Sequence, residues 1–137
     1  MSKLNNSSRG KPVVANELFL VFLGGGIGSL LRYIIGSGLE LSLGSTLAGM
    51  LSLFFVNVAG AFFLGVVSFH PFFASERRKS FWGSGFAGGF TTMSGVALFV
   101  YQQGSVAITS VMFALGFFAF AAGVALGKKK AGLNELG

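Results

Sequence analysis

Four long apolar stretches, separated by short polar segments, occupy most of the chain. They cover about 18–39, 46–69, 81–101 and 106–126. About 20 mostly apolar residues suffice to cross the hydrocarbon core of a bilayer as a helix, so each stretch predicts one crossing. None alternates apolar and polar positions with the period of two that a strand requires, and all are longer than strands. The pattern predicts an all-α membrane protein with four transmembrane helices and short connections. On this reading a single transmembrane domain over 17–127 lies between a disordered polar tail, 1–16, and a basic tail, 128–137. The polar start, lacking a small-x-small cleavage site with a polar domain behind it, reads as a tail and not as a signal peptide.

Glycine falls inside the stretches: Gly24, Gly25, Gly26 and Gly28 in the first, Gly60 and Gly65 in the second, and Gly83, Gly85, Gly88, Gly89 and Gly95 in the third. Small residues let helices approach closely where lipid supplies no hydrophobic drive for association. Helical spacing puts Gly25, Ser29 and Arg32 on one face of the first helix. Asn57, Gly60, Ala61 and Gly65 share a face of the second.

Composition agrees and charge adds a direction. Only 10% of the 137 residues are charged, against roughly 25% in soluble domains, and the mean hydropathy is +0.76. Three clusters hold nine of the ten Lys and Arg: Lys3, Arg9 and Lys11; Arg77, Arg78 and Lys79; Lys128, Lys129 and Lys130. Arg32 is the exception. The alternate connections, around Glu40 and around Gln102-Gln103, carry no basic residue. Cytoplasmic loops collect Lys and Arg, so the pattern predicts a multi-pass protein of the cell membrane with both termini in the cytoplasm. Basic residues placed at span ends argue for membrane topology and anionic headgroups, and against the single basic patch of a nucleic-acid binder. With no Cys, one His (His70) and four acids (Glu17, Glu40, Glu76, Glu135), little material remains for catalysis, and no enzyme is expected.

The polar residues at membrane depth are few. Arg32 lies late in the first span, where it either meets a partner or water-filled cavity or snorkels to the interface beside Tyr33. Asn57, near the middle of the second span, either cross-links two helices or donates its NH₂ to a dehydrated anion. The third span contains Gly85-Phe86-Ala87-Gly88-Gly89-Phe90-Thr91-Thr92-Met93-Ser94-Gly95, which is poor helix material and predicts a break. Broken helices can turn freed carbonyls inward to bind a cation such as Na⁺. A kink repaired by the Thr91 and Thr92 hydroxyls is the alternative. His70, before Pro71, reads as a capping or interfacial residue, and Trp82 as an interfacial anchor.

Gly25-Gly26-Ile27-Gly28 followed by Arg32-Tyr33, then Asn57-Val58-Ala59-Gly60, then Gly85 through Thr92, resemble the motifs of the Fluc (CrcB) fluoride-channel family over roughly residues 18–127. The resemblance implies a fluoride-selective passive channel that exports F⁻ and lowers its toxicity. It also implies an antiparallel dimer, with fluoride pathways along the subunit interface and a structural Na⁺ held there by the carbonyls of Gly88 and Thr91. Asn57 matches the family's pore asparagine and Ser94 a hydroxyl of its polar track.

Several positions depart from the pattern. Met93 and Val96 stand where that family carries two pore phenylalanines, Gly95 lacks a track hydroxyl, and Ser52-Leu53 replaces a Gly-Thr pair. The fourth span keeps only Thr109 and Ser110 as polar residues, near its start. A chain with so one-sided a charge bias should insert in one orientation, so the resemblance implies a non-identical paralogue as its inverted partner. A non-conducting partner subunit is one alternative. A small multidrug/proton antiporter is another, although it would need a carboxylate inside a span and none is there.

Overall fold

The computed structural model describes residues 11–103 and 105–135, without the side chains of 11–14, 45–47, 103 and 133–135. The described chain is helical and contains no strand. Three helices are long and apolar enough to span a membrane: α1 (Lys11–Leu43), α2 (Ser45–Phe69) and α6 (Val106–Glu135). At 1.5 Å per residue, each apolar run exceeds the roughly 30 Å hydrocarbon core. Helices suit this sequence because backbone groups have no water to bond with in lipid and must be satisfied within the segment. Helix also extends into both segments read as tails, with 11–16 in α1 and 128–135 in α6; residues 1–10 lie outside the described chain.

The third apolar stretch is assembled from pieces. One turn of helix, α3 (Glu76–Arg78), leads into a π-helical segment, Lys79–Ala87, and then α4 (Gly88–Phe90). After a break at Thr91 and Thr92 the chain resumes as α5 (Met93–Gln103). The expected interruption is present, but it falls on the threonines. Gly88 and Gly89 remain helical.

A single residue, Gly44, reverses the chain between α1 and α2. Its φ of 80° lies in the left-handed region, which only glycine adopts at little cost. Its N–H donates to the Glu40 carbonyl and its own carbonyl accepts from Ala48 N–H, so it closes one helix and opens the next. At the far end of α2, His70 Nδ1 accepts from Phe72 N–H at 3.1 Å and caps the 3₁₀ turn Pro71–Phe73, as expected of a capping histidine.

Helix contacts run through glycine. A Cβ on Gly24 or Gly28 of α1 would strike the Phe81 or Phe86 carbonyl, and one on Gly89 would strike the Gly25 carbonyl. These atoms bring α1 directly against the π-helical segment and α4. Gly65 and Gly123 do the same for α2 and α6, facing the Phe120 and Phe62 carbonyls. Around Phe63, edge-on contacts with Phe73, Trp82 and Phe86 tie α2 to the π-helical segment. Few large side chains are buried, among them Val56, Phe90, Val96 and Met112. Phenylalanine and leucine instead cover the outside, Phe22 being 76% exposed. An apolar exterior around a small-residue interior is the arrangement of a protein whose solvent is lipid.

Apart from Arg32, the described basic groups gather at one end. Lys128 Nζ lies 4.8 Å from the centre of the Phe69 ring, and Gly127 abuts the His70 backbone. Asn16, near the start of α1, shares a pocket with Arg77 and Arg78. The start of α1, the α2–α3 connection and the late part of α6 therefore share one end, away from the Gly44 turn.

Candidate functional site: the broken third helix

Two threonines end α4, and side chains from two other helices hold the ends apart. Thr91 turns extended (φ −78°, ψ 161°), a conformation β-branched residues accept readily. Its N–H and its hydroxyl both donate to the Ala87 carbonyl. Thr92 then serves as N-cap of α5, its Oγ1 accepting from Gly95 N–H at 3.0 Å, three residues on, as N-cap hydroxyls do. The Ser94 hydroxyl lies 3.2 Å from the same Oγ1.

Asn57 bridges the interruption from α2. Its Oδ1 accepts the Thr92 N–H at 2.9 Å, the donor that an unbroken helix would direct to the Gly88 carbonyl. Asn57 Nδ2 donates to the Leu53 carbonyl at 2.8 Å and lies 3.5 Å from the Thr92 carbonyl. One amide hydrogen is firmly held and the second only loosely. From α1, Arg32 Nη1 donates to the Thr91 carbonyl at 2.9 Å, and one turn earlier Ser29 Oγ donates to the Gly89 carbonyl at 3.2 Å. Of the two settings expected for Arg32, the structure shows the partnered one. Among the described residues no buried side-chain nitrogen or oxygen lacks a partner.

A cavity of about 610 Å³ opens beside the break, between α2, the third-stretch segments and α6. Its wall includes Asn57, Gly88, Thr91, Met93 and Val96, five of the residues singled out from sequence. Val96 is buried, whereas Met93 is 64% exposed. Thr92 and Ser94 are not on this wall; their hydroxyls pair with each other, and Ser94 is exposed. Arg32 also stays off the wall and reaches the break from α1. Two departures from the family motif turn out to touch. A Cβ on Gly95 would lie 2.8 Å from Leu53 Cδ1, so Leu53 fills the space a side chain at 95 would need.

At the break one main-chain carbonyl is left without its helical donor and a second is partly engaged. The Gly88 carbonyl loses its helical donor to Asn57, and Gly88 is exposed. The Thr91 carbonyl already accepts from a guanidinium, which leaves one lone pair. Ser29 and the Leu53 carbonyl also shape the site and were not singled out for it. The three-residue spacing from Ser29 to Arg32 was the available signal.

Residues 19–127, the whole helical bundle with the break inside it, match the family described as CrcB-like protein, Camphor Resistance (CrcB). The chain belongs to the CrcB family. It is 36% identical to a protein of Corynebacterium jeikeium (strain K411) named Fluoride-specific ion channel FluC 2, over 85% of this chain and 81% of that relative. It is also 36% identical to the Fluoride-specific ion channel FluC of Azobacteroides pseudotrichonymphae, over 81% of this chain and 92% of that relative. A Bacillus licheniformis protein named Fluoride-specific ion channel FluC 2 is 35% identical over 82% and 87% of the respective lengths. No solved structure matches the CrcB chain described here.

Proposed function

We propose that this CrcB protein is a subunit of a passive fluoride channel. The supporting observation is a match to proteins named fluoride-specific channels that spans the bundle together with its interrupted third helix. Hydrogen fluoride crosses membranes as the neutral acid and dissociates in a less acidic cytoplasm, trapping F⁻. An anion pathway relieves this because an interior-negative potential drives each charge outward by about 2.3 kcal/mol per 100 mV. No bond is made or broken.

Fluoride is small and strongly hydrated, so a pathway must replace its water with positioned donors. The loosely held N–H of Asn57 and the exposed Ser94 hydroxyl supply them on this chain, while Met93 and Val96 provide apolar wall. The broken third stretch completes the set of four crossings. A second, antiparallel subunit covers the exposed face of α5, where Tyr101 is 87% exposed. A structural Na⁺ between the subunits, on the Gly88 carbonyl and the remaining lone pair of Thr91, would supply fixed positive charge there. Arg32 holds the Thr91 carbonyl in place beside it.

The inverted partner is a different chain. Basic groups concentrated at one end orient this subunit with its termini in the cytoplasm, so a mate of opposite orientation needs the opposite bias. Asn57→Asp in the reconstituted complex tests the ion contact, since the retained Oδ1 still accepts the Thr92 N–H while the amide donors are gone. Fluoride efflux from liposomes should fall at least tenfold. Unchanged efflux would make Asn57 scaffolding and this chain a non-conducting partner.

A further inference from the structure

Between the start of α1 and the π-helical segment, at the basic end, lies a second pocket of about 330 Å³. Its polar wall is Asn16, Arg77 and Arg78, and its apolar wall includes Phe19, Phe81 and Trp82. Among the described residues the Arg77 side chain makes no hydrogen bond or ion pair. Arg78 gives one N–H to the Phe72 carbonyl at 2.7 Å and sits 4.5 Å over the Phe72 ring, which leaves further donors of its guanidinium unused. The one ion pair among the described residues, Lys79 with Glu76, involves neither arginine, and Glu17, next to Asn16 in sequence, does not pair with them. Two positive forks therefore stand uncompensated over an aromatic wall. That wall continues into the exposed apolar surface of α1, at Phe19 and Phe22.

We infer that this pocket binds the phosphate of an anionic glycerophospholipid. Guanidinium groups match phosphate oxygens in a bidentate fork, and a tryptophan beside them fits headgroup depth. Phosphate and glycerol fit inside, with the acyl chains lying along Phe19 and Phe22. The site itself is independent of what crosses the membrane, and the orientation proposed above would put it in the cytoplasmic leaflet.

Native mass spectrometry of the purified full chain in detergent tests the inference without fluoride, using phosphatidylglycerol and phosphatidylcholine with identical acyl chains. Phosphatidylglycerol should be retained over phosphatidylcholine. One basic residue near the membrane surface is worth about fivefold, so Arg77→Gln should cut phosphatidylglycerol retention roughly fivefold. Adding Arg78→Gln should cut it roughly 25-fold, and should narrow the preference over phosphatidylcholine, whose choline offsets its phosphate charge. Equal retention of the two lipids by the unaltered protein, or retention indifferent to Arg77→Gln, would overturn the assignment. So would displacement by millimolar inorganic phosphate, which would mark a free-anion site. Should the double variant not fold, Arg77→Gln and the lipid comparison on the unaltered chain decide the matter.

Discussion

At Asn57 a single amide fixes backbone on one side and lines a cavity on the other. Removing it with Asn57→Ala strands the Thr92 N–H and should cost about 1–3 kcal/mol, read as a lower unfolding midpoint in detergent titration. Asn57→Asp keeps the acceptor for the Thr92 N–H but sets a carboxylate oxygen against the Leu53 carbonyl, so its at-least-tenfold loss of flux is read beside its own unfolding midpoint and that of Asn57→Ala. A second residue-scale expectation concerns Gly95. Gly95→Thr crowds Leu53 Cδ1 and the Thr92 side chain and should destabilise by about 1 kcal/mol, the low end for overpacking because the end of Leu53 can shift. Leu53→Ala in the same chain should restore part of that loss, a coupling that a double-mutant cycle measures. Neither contact could be read from local sequence. Asn57 and Thr92 are 35 positions apart and Arg32 and Thr91 are 59, so the residue types were legible but their partners were not.

Among elements, glycine position decides which helices touch. Gly28 faces the Phe86 carbonyl, whereas nothing lies within 4 Å of a Cβ on Gly26. Gly28→Val should therefore lower stability by about 2 kcal/mol or more, while Gly26→Val should leave it nearly unchanged. Equal effects in an unfolding titration would contradict the close approach of α1 to the π-helical segment. Apolar run length made the three long helices legible, and Gly85 through Gly95 announced an interruption. Its location on the threonines was not legible, because Gly89 is committed to contact with α1 and stays helical. The π-helical run over Lys79–Ala87 also left no mark, since a shift from i→i+4 to i→i+5 bonding changes no residue type.

At the scale of the molecule, two described basic clusters that are far apart in sequence meet at one end, as alternating crossings require. The chain has no cysteine, so single cysteines at Ser75 and Glu40 report its orientation cleanly. A membrane-impermeant thiol reagent applied outside intact cells should label Glu40→Cys and spare Ser75→Cys. Labelling of both at comparable levels would mean dual insertion and remove the need for a dissimilar mate. The family was legible from motif order, but the part played by Leu53, Met93, Gly95 and Val96 was not, because all four depart from the pattern. Fluoride efflux from liposomes, measured with an electrode, decides whether this chain conducts alone or needs an inverted partner. Background efflux is expected from this chain alone, and rapid efflux when it is co-purified with a four-span paralogue of opposite loop charge. Rapid efflux from the chain alone, or none from the pair, would contradict that expectation.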